Sequence, residues 1–176
     1  MDRIRRTERL AAMTQMLINA PNRSLALSTF CETFDTAKSS ASEDLDIIRT
    51  ALKRFHLGTL ETLPGAAGGV RYRPYVEKED AFAAVNALCK RMSAPGRVLP
   101  GALLYIADLV GDPATLERMG EILATEYYDV EPDFVLTMEM QGIPLAMMTA
   151  RALDVPVVIA RRSVKAYEGA AVHITY

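Results

Sequence analysis

A strand-loop-helix-strand pattern around residue 140 contains the residue types that bind phosphate groups. The first strand pattern ends near Thr137, the loop leads to Gly142, and the second strand is followed by two arginines and then a lysine. Open α/β sheets bind ligands at the carboxyl ends of their strands, where loop and helix N–H groups can hold a phosphate and cations can clamp it. The predicted ligand-binding residues are Thr137, Met138, Glu139, Met140, Gln141, Gly142, Arg161, Arg162 and Lys165.

A second group of polar residues, within residues 1–74, is typical of contacts to nucleic acid. Arginines cluster around the first helix pattern, a third helix begins with Lys38 and nearby serines, and a glycine-rich hairpin is flanked by two more arginines. In a helix-turn-helix, the start of the second helix of the pair reaches bases and phosphates. The predicted DNA contacts are Arg3, Arg5, Arg6, Lys38, Ser39, Ser40, Ser42, Gly68, Arg71 and Arg73.

Three acids early in the third helix pattern favour a different interpretation of the same module. Glu43, Asp44 and Asp46 would repel phosphates if they faced DNA. The alternative is a protein-interaction module in which these acids are the contact. The residues of the N-terminal third, taken alone, leave both interpretations open.

The elements that must position these N-terminal residues are three helices and a hairpin. Helix patterns cover residues 7–19, a short stretch opened by Thr29 with Glu32, and a third stretch opened by Ser40 with Glu43, both pairs at capping-box spacing. Alternation in 59–63 and 70–73 around a glycine-rich turn predicts the hairpin. This order is that of a winged helix-turn-helix, so residues 1–74 form the first predicted domain. The apolar face of the third helix is predicted to contain Leu45, Ile48, Leu52 and Phe55.

Residues 75–176 form the second predicted domain. Helix patterns cover residues 79–93, 112–128 and 143–153, and strand patterns cover 103–107, 133–137 and 155–160. Strand-helix-strand with short loops predicts a right-handed parallel unit. The fold class is therefore α/β behind an N-terminal α+β module. Apolar faces are predicted at Phe82, Val85, Cys89 and Met92 and at Leu116, Met119, Leu123 and Tyr127.

Composition excludes several other classes. The net charge of −2 divides into a basic first part and an acidic second part, and no apolar run approaches the roughly 18 residues of a membrane span. We therefore expect a cytoplasmic protein with no membrane partner. Cys31 and Cys89 are far apart and are expected to be reduced and buried. His56 and His173 are isolated, so the sequence predicts no metal site, no catalytic residue and no cofactor.

Four strings resemble the pur operon repressors of Gram-positive bacteria: residues 37–45, 64–70, 99–101 and 142–146. The resemblance extends over all 176 residues. It implies a winged-helix domain joined to a domain of type I phosphoribosyltransferase fold, which represses purine synthesis genes as a homodimer on double-stranded promoter DNA. It also implies that phosphoribosyl pyrophosphate is the effector and that no enzymatic activity remains. Thr137–Gly142 would be the pyrophosphate loop, and residues 161–169 the arm that covers the ligand.

The chain departs from the family pattern in two places. Bulky and acidic side chains at 138–141 occupy the pyrophosphate loop. The ribose-phosphate motif, in which a strand precedes two adjacent acids and a glycine-rich turn, does not occur, so the sheet is expected to be incomplete and the chain to be the N-terminal portion of a longer protein. A purine phosphoribosyltransferase with an appended domain is the alternative function, and it would require that motif.

Overall fold

The computed structural model describes residues 4–65 and 68–162. The N-terminal part of these ranges contains helices and strands in the predicted order. They are α1 (Arg6–Ile18), β1 (Ser24–Ala26), α2 (Leu27–Phe34), α3 (Lys38–Arg54), β2 (Thr59–Leu63) and β3 (Gly69–Arg73). The three strands form an antiparallel sheet in the order β1-β3-β2. Three helices and a small three-stranded sheet make this part α+β.

One apolar cluster holds the N-terminal part together. Phe30 and Met13 are fully buried, and Leu17 is 1% exposed. Burial of a large apolar side chain contributes about 1.5–3 kcal/mol, so this cluster is the main source of stability here. Its members come from α1, α2, α3 and both strands of the hairpin, and they are Met13, Leu17, Phe30, Ala41, Leu45, Ile48, Leu52, Leu60, Val70 and Tyr72.

The starts of α2 and α3 differ from the predicted capping boxes. α2 begins at Leu27 and α3 at Lys38, in each case after an extended alanine and without a side-chain cap. Thr29 and Ser40 therefore lie inside their helices and not at the caps. For α2 the reason is tertiary, because Ala26 is paired with β3 and the chain turns from the sheet directly into the helix.

The end of α3 also differs from its apolar pattern. Leu45, Ile48 and Leu52 are buried as predicted, but Phe55 is 65% exposed. The helix ends at Arg54, so Phe55 leaves the helical register and its ring does not follow the buried face. Gly58 follows with φ +114°, a left-handed backbone that glycine adopts without strain.

The second part of the chain adds helices and two short sheets. Its elements are α4 (Lys78–Met92), β4 (Val98–Leu99), β5 (Leu103–Leu104), α5 (Ala107–Val110), α6 (Pro113–Tyr127), β6 (Val135–Met138), α7 (Gly142–Leu153) and β7 (Val157–Ala160). β6 and β7 are parallel, with Val135 opposite Val157 and Met138 opposite Ala160, as the strand-helix-strand pattern predicts. The whole is a mixed α/β chain.

Two predictions for this second part, a strand and the apolar face of α4, were wrong. The strand at 103–107 is instead the second arm of a short, exposed antiparallel hairpin, and Ala107 already begins α5. Phe82 is 71% exposed, and Cys89 is exposed as well, so the predicted apolar face of α4 lies largely in solvent. Cys31 and Cys89 are both free, as expected, although neither is fully buried.

The predicted apolar face of α6 is also displaced. Leu123 and Tyr127 are 39% and 49% exposed, whereas Gly120 and Ala124 are buried. A Cβ at Gly120 would lie 2.7 Å from the backbone of Met148, so α6 and α7 approach closely along small residues. Close backbone contact selects the small residues for the buried face and turns the larger ones outward.

Polar contacts join the two parts at a junction formed by Asn22, Arg23, Arg73, Tyr128 and Asp154. Arg73 is 7% exposed and donates hydrogen bonds from Nε to Asn22 Oδ1 at 3.0 Å and from Nη2 to the Tyr128 carbonyl oxygen at 3.4 Å. Its guanidinium carbon lies 4.8 Å from the centre of the Tyr128 ring. Arg23 pairs with Asp154 through both carboxylate oxygens, at 3.1 and 2.9 Å. The junction fixes the end of α7 beside the sheet of the N-terminal part.

Candidate nucleic-acid interface and phosphate-binding loop

The first turn of α3 presents polar side chains to solvent. Lys38, Ser39 and Ser42 are exposed and Ser40 is half-buried, while Ala41 faces the core with no exposure. No side chain caps this helix start. A helix N-terminus with exposed hydroxyls and a lysine is a favourable place for a phosphate, because the backbone dipoles point their positive ends outward.

The start of α1 lies against the first turns of α3 through a buried carboxylate. Asp44 has no exposed surface, and it accepts hydrogen bonds from Arg6 Nε at 2.8 Å and from Arg9 Nε at 2.5 Å. Arg6 Nη2 also lies 3.4 Å from Glu43 Oε2, and half of the Arg6 side chain is exposed. Two arginines therefore neutralise the acid that the sequence suggested would repel phosphates.

The Asp44 carboxylate is kept ionised by these contacts. Burial alone would raise its pKa, but the hydrogen bonds from Arg9 and Arg6 and their positive charges outweigh burial and lower the pKa below its ordinary value of 3.8. The remaining acid, Asp46, pairs with Arg49, which in turn donates to the Leu60 carbonyl oxygen at 2.9 Å. The acids of α3 thus have local basic partners.

Arg5 is the other predicted basic contact within the described residues of the N-terminus. It is exposed and precedes α1, where its backbone N–H donates to Glu8 Oε2 at 2.8 Å. Arg3 lies outside the described residues. Arg6 lies beside α3, because its Nε donates a hydrogen bond to Asp44 of that helix.

The two arginines that follow the hairpin tip pair with carboxylates. Arg73 is nearly buried, with Nη1 2.9 Å from Glu61 Oε1. The side chain of Arg71 is 18% exposed and lies 3.2 Å from Glu61 and 3.6 Å from Glu131. Both were predicted as DNA contacts, and in the structure both guanidinium groups pair with carboxylates. Gly68 is half-buried beside the tip, whose residues 66 and 67 lie outside the described ranges.

The predicted phosphate-binding residues divide between a strand, a loop and a helix. Thr137 and Met138 belong to β6 and not to the loop, while Gly142 is the first residue of α7. Met138 and Met140 are 74% and 78% exposed. The peptide bond between Glu139 and Met140 is cis. The loop proper is therefore residues 139–141, at the carboxyl end of β6.

A carboxylate and an arginine meet beside this loop. Arg161 Nη1 lies 3.7 Å from Glu139 Oε2, and the Glu139 N–H donates to the Ala160 carbonyl oxygen at 3.3 Å. Glu139 therefore lies toward β7, where Arg161 offsets its charge. Arg162 is exposed at the same edge, and Lys165 lies outside the described residues. Within the described ranges, the structure brings Arg161 to the loop, as the strand order predicted.

Gly142 approaches Thr137 too closely to tolerate a side chain. A Cβ at Gly142 would lie 2.6 Å from Thr137 Oγ1 but 4.0 Å from Thr137 Cβ. We expect Gly142→Ala to lower the free energy of unfolding by about 1 kcal/mol through this overlap. Adding Thr137→Ala to Gly142→Ala should recover the lost stability, because it removes the hydroxyl, whereas adding Thr137→Ser keeps the hydroxyl and should not. Chemical unfolding of Gly142→Ala, Thr137→Ala and the two double variants measures the coupling, and additive effects would contradict the proposed overlap.

Within residues 4–65 and 68–162, none of the helices has both the length and the hydrophobicity of a membrane span. No group of three or more His, Cys, Asp or Glu side chains within these ranges is arranged to hold a metal ion.

Comparison with known proteins assigns the N-terminal part. The family described as bacterial purine repressor, N-terminal, matches residues 5–74. Residues 5–74 are therefore similar to the N-terminal part of bacterial purine repressors. The match covers the whole α+β part, from α1 to the residue after β3, and so includes the start of α3 and the basic residues around α1. The junction joins the matched residues to α7.

Curated relatives are similar along nearly the whole chain. The purine biosynthesis transcriptional repressor PurR of Bacillus subtilis is 41% identical over 174 residues, which is 99% of this chain and 61% of that protein. The purine biosynthesis transcriptional activator PurR of Lactococcus lactis is 39% identical over 173 residues, or 98% of this chain and 64% of that protein. The chain therefore spans just over three fifths of the length of these relatives. They are named as transcription regulators, one a repressor and one an activator.

An enzyme is similar to a smaller portion of the chain. The xanthine phosphoribosyltransferase of Deinococcus deserti is 36% identical over 81 residues, which is 44% of this chain and 42% of that enzyme. The chain is thus similar to purine repressors at residues 5–74 and, over 81 residues, to a phosphoribosyltransferase. The matches that extend along the whole chain are to regulators and not to enzymes.

Proposed function

We propose that the protein is a DNA-binding regulator of purine biosynthesis genes, with residues 1–74 as a winged-helix DNA-binding domain and residues 75–176 as part of a phosphoribosyltransferase-like effector domain. The phosphoribosyltransferase fold serves effector sensing, and the protein binds promoter DNA as a homodimer. The similarity of nearly the whole chain to about three fifths of each regulator supports this, together with the PurR names of the relatives. We expect the protein to repress these genes, and phosphoribosyl pyrophosphate is the proposed effector.

One structural observation carries the proposal. The first turn of α3 exposes Lys38, Ser39 and Ser42, and Arg6 at the start of α1 donates a hydrogen bond to Asp44 farther along the same helix. Hydroxyls, helix N–H groups and cations are the groups that most often contact DNA phosphates. Ser40 and Gly68 remain at the edge of the proposed interface. Arg71 and Arg73 are left out of the proposed interface, because both guanidinium groups pair with Glu61.

The proposed ligand site is the edge formed by the carboxyl ends of β6 and β7. Thr137–Gly142 would hold the diphosphate, with Arg161, Arg162 and Lys165 as cations. Glu139 is compatible with an anion only while Arg161 offsets its charge, at the observed 3.7 Å. Titration of phosphoribosyl pyrophosphate into the protein–DNA complex tests whether the compound binds and whether it raises or lowers the affinity for DNA.

The DNA interface predicts a specific loss of affinity. Arg5→Glu with Lys38→Glu should weaken binding to purine-gene promoter DNA by about 10- to 100-fold at low salt and reduce the salt slope of log K by about 2, because two phosphate contacts are lost. Arg6 is left unchanged because it supports Asp44. Fluorescence anisotropy with labelled promoter DNA measures both quantities.

The matched control carries the same change of charge away from the proposed interface. Lys78 and Lys90 are exposed on α4, and Lys78→Glu with Lys90→Glu alters the net charge equally. We expect this variant to retain affinity within about threefold, since its charges make no phosphate contact. An equal loss in both variants would show that only net charge matters. Failure of the unmodified protein to bind promoter DNA at low salt would overturn the proposed function.

A further inference from the structure

Helix α7 connects the proposed effector loop to the N-terminal part. It begins at Gly142, directly after the loop, and ends at Leu153, so its 12 residues span roughly 18 Å. The Leu153 carbonyl oxygen accepts a hydrogen bond from Asn22 Nδ2 at 2.7 Å. Asp154, in the left-handed conformation at the end of the helix, pairs with Arg23. Both contacts at this end of α7 therefore come from the turn between α1 and β1.

Asn22 joins α7 to strand β3 through three hydrogen bonds. Its N–H donates to the Tyr72 carbonyl oxygen at 2.7 Å, and its Oδ1 accepts from Arg73 Nε at 3.0 Å. Its backbone φ of +55° turns the chain so that the side chain faces Leu153. One residue thus links the last turn of α7 to the hairpin of the DNA-binding part.

The geometry makes the link stiff. The last carbonyl groups of a helix have no partner within the helix, and here one of them is satisfied by a residue 131 positions away in the sequence. A packed helix moves as a body, so a shift at its first residue changes the position of its last turn. Any displacement of α7 must therefore be followed by Asn22 or must break its hydrogen bond to Leu153.

We propose that Asn22 is a positioning residue that transmits occupancy of the Thr137–Gly142 loop, through α7, to β3 and the hairpin of the DNA-binding part. The inference rests on the proposed function. The link makes the position of the N-terminal part depend on the position of α7. A ligand that stabilises one position of α7 therefore also stabilises the matching position of the N-terminal part. Asn22 contacts neither the loop nor the α3 surface and acts only through these elements.

Two variants separate this role from simple folding. Asn22→Asp keeps the acceptor for Arg73 but removes the Nδ2 donor to Leu153. Asn22→Gly removes both side-chain contacts and keeps the left-handed backbone at no steric cost. Asn86→Asp, on the exposed surface of α4, introduces the same change of side chain and charge at a site with no role in the link.

The experiment compares ligand affinity with ligand response on the intact protein. Calorimetry measures binding of phosphoribosyl pyrophosphate, and anisotropy measures how much that compound changes promoter DNA affinity. We expect the affinity of Asn22→Asp for the compound to stay within about twofold of that of the unmodified protein. The change in DNA affinity that the compound causes should be at least about fivefold smaller in this variant. Asn86→Asp should keep both. A full response in Asn22→Asp and Asn22→Gly would overturn the proposal.

Hydrogen exchange tests the link without any ligand. The amides of Asp154 and Val155, which donate to carbonyl groups of the last turn of α7, should exchange at least about tenfold faster in Asn22→Asp than in Asn86→Asp. Unchanged exchange would overturn the proposal even if the protein binds promoter DNA. Loss of DNA binding in the unmodified protein would instead overturn the proposed function, while the exchange result still decides whether Asn22 holds α7.

Discussion

Asp44→Ala is expected to lower the free energy of unfolding by about 3 kcal/mol, because it removes the partner of a nearly buried cation. The side chain of Arg9 is only 13% exposed, and its Nε lies 2.5 Å from Asp44 Oδ2. Arg6, half exposed, can turn into solvent, but Arg9 would remain desolvated without a counter-charge. Urea unfolding followed by circular dichroism measures the change.

Replacing the whole pair should cost much less than removing one member. Asp44→Leu with Arg9→Met fills similar volume with apolar groups and leaves no buried charge, so we expect it to recover most of the loss. Asp46→Ala is the matched control for loss of an acid, because that side chain is 65% exposed and should contribute less than about 1 kcal/mol. Equal effects of Asp44→Ala and Asp46→Ala would show that the buried contacts contribute nothing.

The contribution of Asp44 also has a defined pH dependence. Its pKa is lower in the folded protein than its ordinary value of 3.8, so the unfolded chain takes up the proton more readily. The stabilisation is therefore complete above the ordinary pKa and is lost as the pH falls through the folded-state pKa. The stability difference between the unmodified protein and Asp44→Ala should shrink below about pH 4. A difference that stays constant down to pH 2 would argue against an ionised Asp44.

Arg73→Met is expected to be as damaging, with a loss of about 3 kcal/mol, because it leaves three acceptors without their donor. These acceptors are Asn22 Oδ1, Glu61 Oε1 and the Tyr128 carbonyl oxygen. The stacking on the Tyr128 ring is lost as well. The stability of Arg73→Lys should lie between that of the unmodified protein and that of Arg73→Met, since one ammonium group cannot replace all the donors of the planar guanidinium.

The control for Arg73 is Arg118, a more exposed arginine whose partner lies on its own helix. Arg118 lies 3.4 Å from Glu121, one turn away on α6, and its side chain is 37% exposed. Arg118→Met should change the free energy of unfolding by less than about 1 kcal/mol. Because Arg73 lies at the junction, its loss should also reduce the cooperativity between the two parts, visible as a broader transition. A narrow transition with unchanged stability would contradict this role.

Local patterns predicted most of the elements. The alternation of residues 59–63 and 70–73 around a glycine-rich turn predicted the β2–β3 hairpin, because strand period and turn chemistry are properties of neighbouring residues. The same holds for β6, α7 and β7 and for their parallel pairing. Helix starts and apolar faces were less predictable. Ala26 is held in a strand by β3, and close contact between α6 and α7 selected Gly120 and Ala124 for burial.

The sequence by itself determined the order of the elements, the resemblance to a repressor family, and the residues grouped at the β6–β7 edge and at the start of α3. Only the tertiary structure decided which charged residues remain available to a ligand. Asp44 meets Arg6 across 38 positions of sequence, and Arg73 meets Tyr128 across 55. The residue type at a position determines its charge, whereas its burial and its pairing depend on which distant groups the fold brings within hydrogen-bond distance. For that reason the acid expected to repel phosphate is neutralised, and an arginine expected at DNA joins the two parts of the chain.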